Sequence, residues 1–216
     1  MITHKIESEG GNMADGNSPA QPEAVEPPAA QTTRSLLLRS ALALFRERGY
    51  HGAGTNEIGS AVGMTGPSIY RHFTNKDDLL VAAVREGARQ LAAGAAVADQ
   101  APDPAQALEL LCSSFVDVAV SDPDGVCVYF FESRHLPPES RAEVDRPANL
   151  YLNSYERVLA KLRPELPQQE AHIRVDAALR MVAGVCMDLP DVSRPKLAVT
   201  LVQRMLVVLL DEVEVV

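Results

Sequence analysis

Tryptophan is absent from this 216-residue chain, and cysteine is scarce. The three cysteines, Cys112, Cys127 and Cys186, are odd in number, lie far apart and form no CxxC pair. This pattern argues against a disulfide framework and against a cysteine-based zinc site. It favours a reducing compartment with inert, buried thiols, so we expect a cytoplasmic protein.

Long hydrophobic runs are also missing. The most apolar stretch, LAVTLVQRMLVVLL (197–210), is too short to span a bilayer and contains Gln203 and Arg204. The first residues lack the apolar core of a signal peptide. The 197–210 stretch is therefore predicted to be a helix that packs against protein.

Strand patterns are lacking as well, because no stretch of alternating apolar and polar residues has turn signals on both sides. Residues 1–31, rich in Pro, Gly, Ala and Glu, are predicted to be a disordered tail. From Thr32 onward the apolar spacing is helical, which predicts an all-α protein of about nine helices. The predicted helices cover 32–49, 55–62, 65–72, 76–98, 104–121, 124–135, 138–163, 168–188 and 193–212.

Local signals set several of these boundaries. Thr32 or Thr33 is predicted to cap the first helix, and Gly49 to end it. Thr65 and Asn75 are predicted caps of the third and fourth helices. Pro147 predicts a kink or a late start in the longest helix.

Charge is distributed unevenly along the chain. The formal net charge is −9, which by itself argues against nucleic acid as a partner. Residues 34–89, however, carry eight basic and five acidic side chains, a net charge of +3. A local nucleic-acid surface on an anionic protein is consistent with this distribution.

The helices over 32–80 form a specific constellation. The second is about two turns long, too short to be stable alone, and a Gly63-Met64 turn joins it to the third. Two short helices at a steep angle, braced by a longer first helix, predict a helix-turn-helix. In that unit the last short helix enters the DNA major groove with its N-terminal end first.

The residue types over 65–72 suit such a contact. Gly66 lets the backbone come close to DNA, and Pro67 is tolerated in the first helical turn, where its ring can touch a thymine methyl. Ile69 and Phe73, four apart, are predicted to anchor the helix to the core. The predicted DNA contacts, mostly to phosphates, are Thr55, Thr65, Gly66, Pro67, Ser68, Tyr70, Arg71, His72 and Lys76.

The stretch ALFRERGYHGAGTNEIGSAVGMTGPSIYRHFTNKDDLLVAAV (43–84) resembles the DNA-binding domain of TetR-family transcriptional regulators. The matching segments are LFRERGY, TNEIGSAVGMT and SIYRHFTNKDDL. One departure is Gly66, where the family often has lysine. The remaining C-terminal residues resemble the family only in length and helical pattern.

The resemblance implies a bacterial regulator with a DNA-binding domain over 32–80 and an effector-binding and dimerisation domain over 81–216. It implies a homodimer formed by the last two helices of each subunit, a palindromic operator, and release of a repressor by a small hydrophobic effector. No cofactor is implied. Candidate effector-contacting residues are Phe115, Tyr129, Glu132, His135, Tyr155 and Met181.

Three alternatives stay open at this point. Glu132 and His135 have the Glu-x-x-His spacing of di-iron bundles, but no second copy exists, so no metal site is expected. An all-helical enzyme is the second alternative, although no GxSxG and no Gly-rich phosphate loop occurs and we expect no catalytic residues. The third is an architectural DNA-binding protein without ligand control, which would not need so large a second helical region.

Overall fold

The structure, a computed structural model, describes residues 32–189 and 192–211, and at residues 66 and 86–90 it describes the backbone alone. Over these residues the fold is all helical, as predicted. The helices are α1 (Thr33–Gly52), α2 (Thr55–Ser60), a 3-10 helix (Gly66–Arg71), α3 (Lys76–Ala98), α4 (Pro104–Ser121), α5 (Pro123–Glu132), a 3-10 turn (Ser133–His135), α6 (Pro138–Leu162), α7 (Gln168–Met187) and α8 (Arg194–Leu210). The predicted tail over 1–31 and the predicted helix end at Glu212 lie outside the described residues.

Side chains cap the helices of the predicted DNA-binding region where the sequence indicates. The Ser35 N–H donates to Thr32 Oγ1 at 3.2 Å, and the Asp78 N–H donates to Asn75 Oδ1 at 2.7 Å. At α2 the cap residue is Gly54, whose N–H donates to the Glu57 carboxylate at 3.2 Å. These short-range bonds satisfy donors that a helix start leaves without intrahelical partners.

Gly49 interrupts α1 with φ 73° and ψ 163°, a conformation that is essentially restricted to glycine. The chain then makes one further turn to Gly52. The Tyr50 N–H that the break exposes donates to Glu132 Oε2 at 2.6 Å, so α5 stabilises the interruption. The predicted stop at Gly49 is thus confirmed as a break, with a partner from a distant helix.

The 3-10 helix and α6 each differ from expectation in one feature. Thr65 occupies the cap position of the 3-10 helix, but its Oγ1 lies 2.7 Å from Ser68 Oγ and makes no capping bond to a backbone N–H. Helix α6 begins at Pro138 and continues through Pro147, so a late start there is wrong. Packing of α6 against α3, α4 and α7 holds the helix across the proline.

Two hydrophobic clusters underlie the fold. The first joins α1, α2, the 3-10 helix and the start of α3, and its members include Leu37, Phe45, Ile58, Ile69 and Phe73. The second surrounds α4 with residues of α6, α7 and α8, and its members include Leu111, Phe115, Tyr155, Val182 and Met205. The first cluster also includes Val128 of α5, so α5 contributes to both.

No helix within the described ranges is sufficiently long and apolar to cross a bilayer. The predicted division of the chain near residue 80 stays a prediction, because α3 runs from the first cluster to the second as one helix.

Candidate nucleic-acid interface and effector cavity

The 3-10 helix Gly66–Arg71, called the recognition segment below, rests on a tight turn after α2. Gly63 in that turn has φ 74°, which favours glycine. A Cβ added to Gly59 would lie 3.2 Å from the Met64 carbonyl oxygen and 3.3 Å from that of Thr65. Glycine at 59 therefore lets α2 approach the turn closely and sets the angle of the recognition segment.

Ile69 and Phe73 anchor the recognition segment, with 1% and 3% of their surfaces exposed. This confirms the predicted buried face. Pro67, Tyr70, Arg71 and His72 lie on the opposite, exposed side. Because the apolar side chains are buried and the polar ones are exposed, the polar groups are available to a binding partner.

Several predicted DNA contacts lie together on this exposed side. The Tyr70 hydroxyl lies 3.5 Å from Thr55 Oγ1, which joins the start of α2 to the recognition segment. Tyr70 is 54% exposed, which is high for a tyrosine and leaves its ring open to a partner. Thr65 and Ser68 hydroxyls bond each other at the segment's N-terminal end.

Lys76 is partly withdrawn from this group. Its ammonium lies 4.4 Å from the centre of the Tyr50 ring and 5.7 Å from that of Phe45. Burial against these rings lowers the pKa of Lys76, although Asp77 partly offsets the effect. Contact of Lys76 with phosphate therefore stays a prediction.

Arg34 is a further cation that the sequence reasoning did not single out. Its guanidinium lies 4.8 Å from the centre of the Phe73 ring, and the side chain is exposed. This places a positive charge at the start of α1 next to the recognition segment. The signal in the sequence was weak, since an arginine in a first helical turn is ordinary.

A small cavity lies inside the C-terminal region between α3, α4, α5, α6 and α7. Its volume is about 70 Å³. The lining combines apolar and aromatic groups with two arginines and an aspartate: Leu91, Phe115, Tyr129, Phe130, Ser133, Arg141, Ala148, Tyr151, Leu152, Asp176, Leu179 and Arg180. Phe115 and Tyr129 are the two predicted effector residues that the structure brings together here.

Ion pairs hold the polar groups of the cavity. Arg141 Nε donates to Asp145 Oδ2 at 3.0 Å, and Arg180 Nε donates to Asp176 Oδ2 at 2.7 Å. The Arg180 guanidinium also lies 5.3 Å from the centre of the Phe130 ring. Each of these arginines can bind an anionic ligand by exchanging its aspartate partner for an anionic group of the ligand.

The tyrosines of the cavity are neutral hydroxyls. Burial raises the pKa of Tyr129 to about 12, with Asp145 adding to the effect, and burial raises that of Tyr151 to about 12. The Tyr151 hydroxyl donates to the Leu111 carbonyl at 3.0 Å and lies 3.1 Å from Ser114 Oγ. The cavity wall is thus linked by hydrogen bonds to the middle of α4.

The other predicted effector residues lie elsewhere. Tyr155 is fully buried beneath Tyr151, with 3.4 Å between their hydroxyls, and Met181 is half-buried on α7. Glu132 accepts the Tyr50 N–H, and the His135 ring stacks on the Tyr50 ring with 6.3 Å between centres. Glu132 and His135 therefore contact α1, and their predicted effector role is untested.

Metal-ligating and nucleophilic side chains also occur in the described ranges. No group of three or more His, Cys, Asp or Glu side chains is placed there to hold a metal ion. All three cysteines are buried, and burial raises the pKa of Cys112 to about 12 and that of Cys127 to about 11. These thiols stay protonated near neutral pH and are poor nucleophiles.

Comparison with known proteins supports this geometry. Residues 37–83 match the profile of the family described as "Bacterial regulatory proteins, tetR family". The chain is also 31% identical over 112 residues to the HTH-type transcriptional activator FasR of Mycolicibacterium smegmatis (strain ATCC 700084 / mc(2)155). That match spans 51% of this chain and 51% of FasR, about half of each protein.

Solved structures share the fold over most of the chain. The transcriptional regulator FadR from Bacillus subtilis, in complex with stearoyl-CoA, has a TM-score of 0.63 and 19% identity and covers 79% of this chain and 96% of its own. AibR, in complex with isovaleryl coenzyme A and operator DNA, has a TM-score of 0.67 and 19% identity with the same coverage. At these identities the similarity demonstrates the fold alone.

Proposed function

We propose that the chain is a ligand-responsive repressor of the TetR family of bacterial transcriptional regulators and that it binds a palindromic operator as a homodimer. The observation that carries this proposal is the recognition segment with the two residues after it, where the buried Ile69 and Phe73 leave Tyr70, Arg71 and His72 exposed. The surrounding residues 34–89 supply the positive charge that DNA requires in an otherwise anionic chain.

The outer faces of α7 and α8 support the proposed homodimer. Ile173, Val199 and Val207 are 58%, 59% and 46% exposed, an unusual amount of apolar surface for two adjacent helices. Gly184 on α7 has open space where a side chain would project. A second copy packed on this face would bury these groups through an isologous interface.

The proposed effector is an acyl-CoA, or a molecule that likewise joins an acyl chain to anionic groups. FadR and AibR are described with acyl-CoA ligands, and the cavity here pairs aromatic walls with Arg141 and Arg180. Its volume, about 70 Å³, is well below the roughly 300–1,000 Å³ of ligand pockets, so binding requires α6 and α7 to move apart.

Movement of these helices gives the effector its influence on DNA. The cavity borders α4 and α3, and α3 continues into the DNA-binding helices. A ligand that favours the expanded cavity shifts the dimer toward a state whose recognition segments do not fit both grooves. A coupling free energy of about 1–3 kcal/mol would lower operator affinity by roughly 5- to 150-fold.

The direction of regulation has two candidates. The proposal is repression, because release by an effector is the simplest use of such coupling. FasR, the relative matched over half its length, is described as an activator. A reporter gene behind the operator distinguishes them, since deletion of a repressor raises expression and deletion of an activator lowers it.

Selection from random duplex DNA with the purified full-length chain tests DNA binding directly. We expect enrichment of an inverted repeat whose half-sites lie on one face of the duplex. Gly184→Arg, which places a charged side chain on the proposed dimer face, serves as the matched variant and should enrich single half-sites. Failure of the unmodified chain to enrich any sequence would overturn the proposal.

Titration with stearoyl-CoA tests effector control on the selected operator. The complex should dissociate with stearoyl-CoA and persist with coenzyme A alone, because the acyl chain occupies the aromatic cavity. Ala148→Phe, which fills the cavity, should bind operator normally and lose the response. An operator affinity unchanged by bound stearoyl-CoA would exclude this ligand as the effector.

A further inference from the structure

Arg46 connects three helices with one side chain. It lies on α1, and its Nη1 donates to Asp124 Oδ1 in the first turn of α5 at 2.8 Å. Its Nη2 donates to the carbonyl oxygens of Cys186 and Met187, the last residues of α7, at 2.8 Å and 2.6 Å. About 22% of the Arg46 side chain is exposed, so these bonds form in a partly desolvated site.

The carbonyl groups at the end of α7 need such a donor. The last carbonyls of a helix have no intrahelical N–H partner and carry the negative end of the helix dipole. Arg46 supplies both a positive charge and hydrogen bonds to that end. Its contact with the α7 terminus is therefore an attachment between two helices and not an incidental surface pair.

Each side of this attachment has a defined role. On one side, α1 and the recognition segment share the first hydrophobic cluster, in which Ile69 is buried. On the other side, α7 carries the exposed apolar face proposed for dimerisation and the cavity residues Asp176, Leu179 and Arg180. Arg46 thus joins α1, which shares a hydrophobic cluster with the recognition segment, to α7, which carries the proposed dimer face and lines the cavity.

We propose that Arg46 is a positioning residue that sets the distance between the two recognition segments of the dimer by fixing α1 to the C-terminal end of α7. This inference rests on the proposed function. Only a guanidinium fits the contact set, because its planar fork reaches a carboxylate on one side and two carbonyl groups on the other. A lysine ammonium at 46 would keep the charge without spanning these acceptors.

A second connection between the same regions makes the role of Arg46 separable. The Tyr50 N–H bonds Glu132 at the end of α5, and this bond does not involve α7. Loss of Arg46 should therefore leave α1 docked on α5 while it frees the α7 terminus. The expected defect is a loss of fixed geometry and not unfolding of the DNA-binding helices.

Distance measurements between two spin labels in one chain test the attachment without DNA. Asn56→Cys and Glu109→Cys provide exposed label sites on α2 and α4, and the native cysteines are too buried to react. Labelled protein is diluted with unlabelled protein to suppress signals between subunits. Arg46→Met should broaden the distance distribution, Arg46→Lys should broaden it less, and an unchanged width for Arg46→Met would overturn the proposal.

Arg48→Met is the matched control, because Arg48 lies on the same helix and pairs with Glu47 and Glu57 of the DNA-binding region. Its label distances should equal those of the unmodified chain. Equal broadening in both variants would assign the effect to general loosening of α1 and would contradict the proposal.

The selected operator provides the functional readout. For Arg46→Met we expect about a tenfold loss of affinity for the full operator and no change for an isolated half-site. Operators with base pairs added or removed between half-sites should be discriminated less strongly by the variant. Equal losses on operator and half-site would overturn the proposal, whereas absence of any selected operator would defeat the proposed function and leave the label distances as the test of Arg46.

Discussion

The DNA-binding helices and the C-terminal helices are stabilised by contacts of different range. In the first, caps such as Thr32 with Ser35 and Asn75 with Asp78 join residues three apart. In the second, Tyr151 bonds the Leu111 carbonyl and Ser114, which lie about 40 positions away in sequence. The first kind of contact leaves a recognisable local motif, and the second leaves none.

Function follows the same division. A surface for DNA needs a fixed set of side chains on a short helical unit, so its residues recur at set spacings in one stretch of chain. A cavity needs only a suitable shape and a few polar groups, which residues from five helices can supply in many ways. Four predictions test this contrast between the two regions.

Truncation of one buried phenylalanine should give the largest difference in stability between the two regions. Phe45→Ala should destabilise the DNA-binding helices by about 3–5 kcal/mol, because the ring is fully buried in their small cluster. Amide hydrogen exchange should show faster exchange in α1 and α2 while α4 and α7 stay protected. Phe115→Ala is the matched change in the other cluster, and uniform exchange in both variants would show one cooperative unit instead of two.

Gly94 tests the contact between α3 and the cavity region. A Cβ at this position would lie 2.3 Å from Ser114 Oγ and 2.5 Å from Ser114 Cβ. Gly94→Ala should therefore lower the free energy of unfolding by about 1–3 kcal/mol through overpacking, as measured by urea denaturation.

Ser114→Gly should rescue Gly94→Ala, because it removes the side chain that the new methyl meets. A double variant as unstable as Gly94→Ala alone would contradict the close approach of α3 and α4 at this point.

Alkaline pH should weaken the C-terminal region first, since all three thiols lie there. Burial raises the pKa of Cys127 from its ordinary value near 9 to about 11. The folded state holds this proton more tightly, so its stabilisation is complete below about pH 9 and is lost as pH rises toward 11, by on the order of 1–2 kcal/mol. Urea denaturation at pH 8 to 10.5 should show a shallower decline for Cys127→Ala than for the unmodified chain.

Tyr70→Phe should have the smallest effect and should leave folding unchanged. Loss of the exposed hydroxyl should weaken operator binding by about 0.5–1.5 kcal/mol, equally for all operator sequences, because its expected partner is a phosphate. Lys76→Ala should in addition reduce the salt dependence of binding by about one unit of slope. Changed base preference in binding assays with Tyr70→Phe would assign that hydroxyl to a base edge.

Sequence patterns predicted most of the helices closely. The prediction of 76–98 agrees with α3 at Lys76–Ala98, and that of 104–121 agrees with α4 at Pro104–Ser121, because Asn75 and the prolines fix these starts locally. The 3-10 geometry of Gly66–Arg71 was not predictable, and Pro147 left open whether α6 begins at Pro138 or later. Both depend on packing against other helices.

The residues of the candidate effector site were likewise only partly predictable from the sequence. Phe115 and Tyr129 line the cavity, whereas Glu132 and His135 contact Tyr50, and no sequence pattern pointed to the cavity residues Arg141 and Arg180. Spacing within one helix cannot tell which neighbouring helix a face will meet. That choice depends on crossing angles that the whole core determines.

The all-helical class, the helix-turn-helix and the buried anchors Ile69 and Phe73 follow from the sequence, because helix periodicity, caps and turns act between residues a few positions apart. Three features depend on how the helices pack: the bond of Arg46 to the end of α7, the stabilisation of the break at Gly49 by Glu132, and the small size of the cavity. The two hydrogen-bonded contacts join residues 82 and 140 positions apart, and no local energy favours them until the helices have packed.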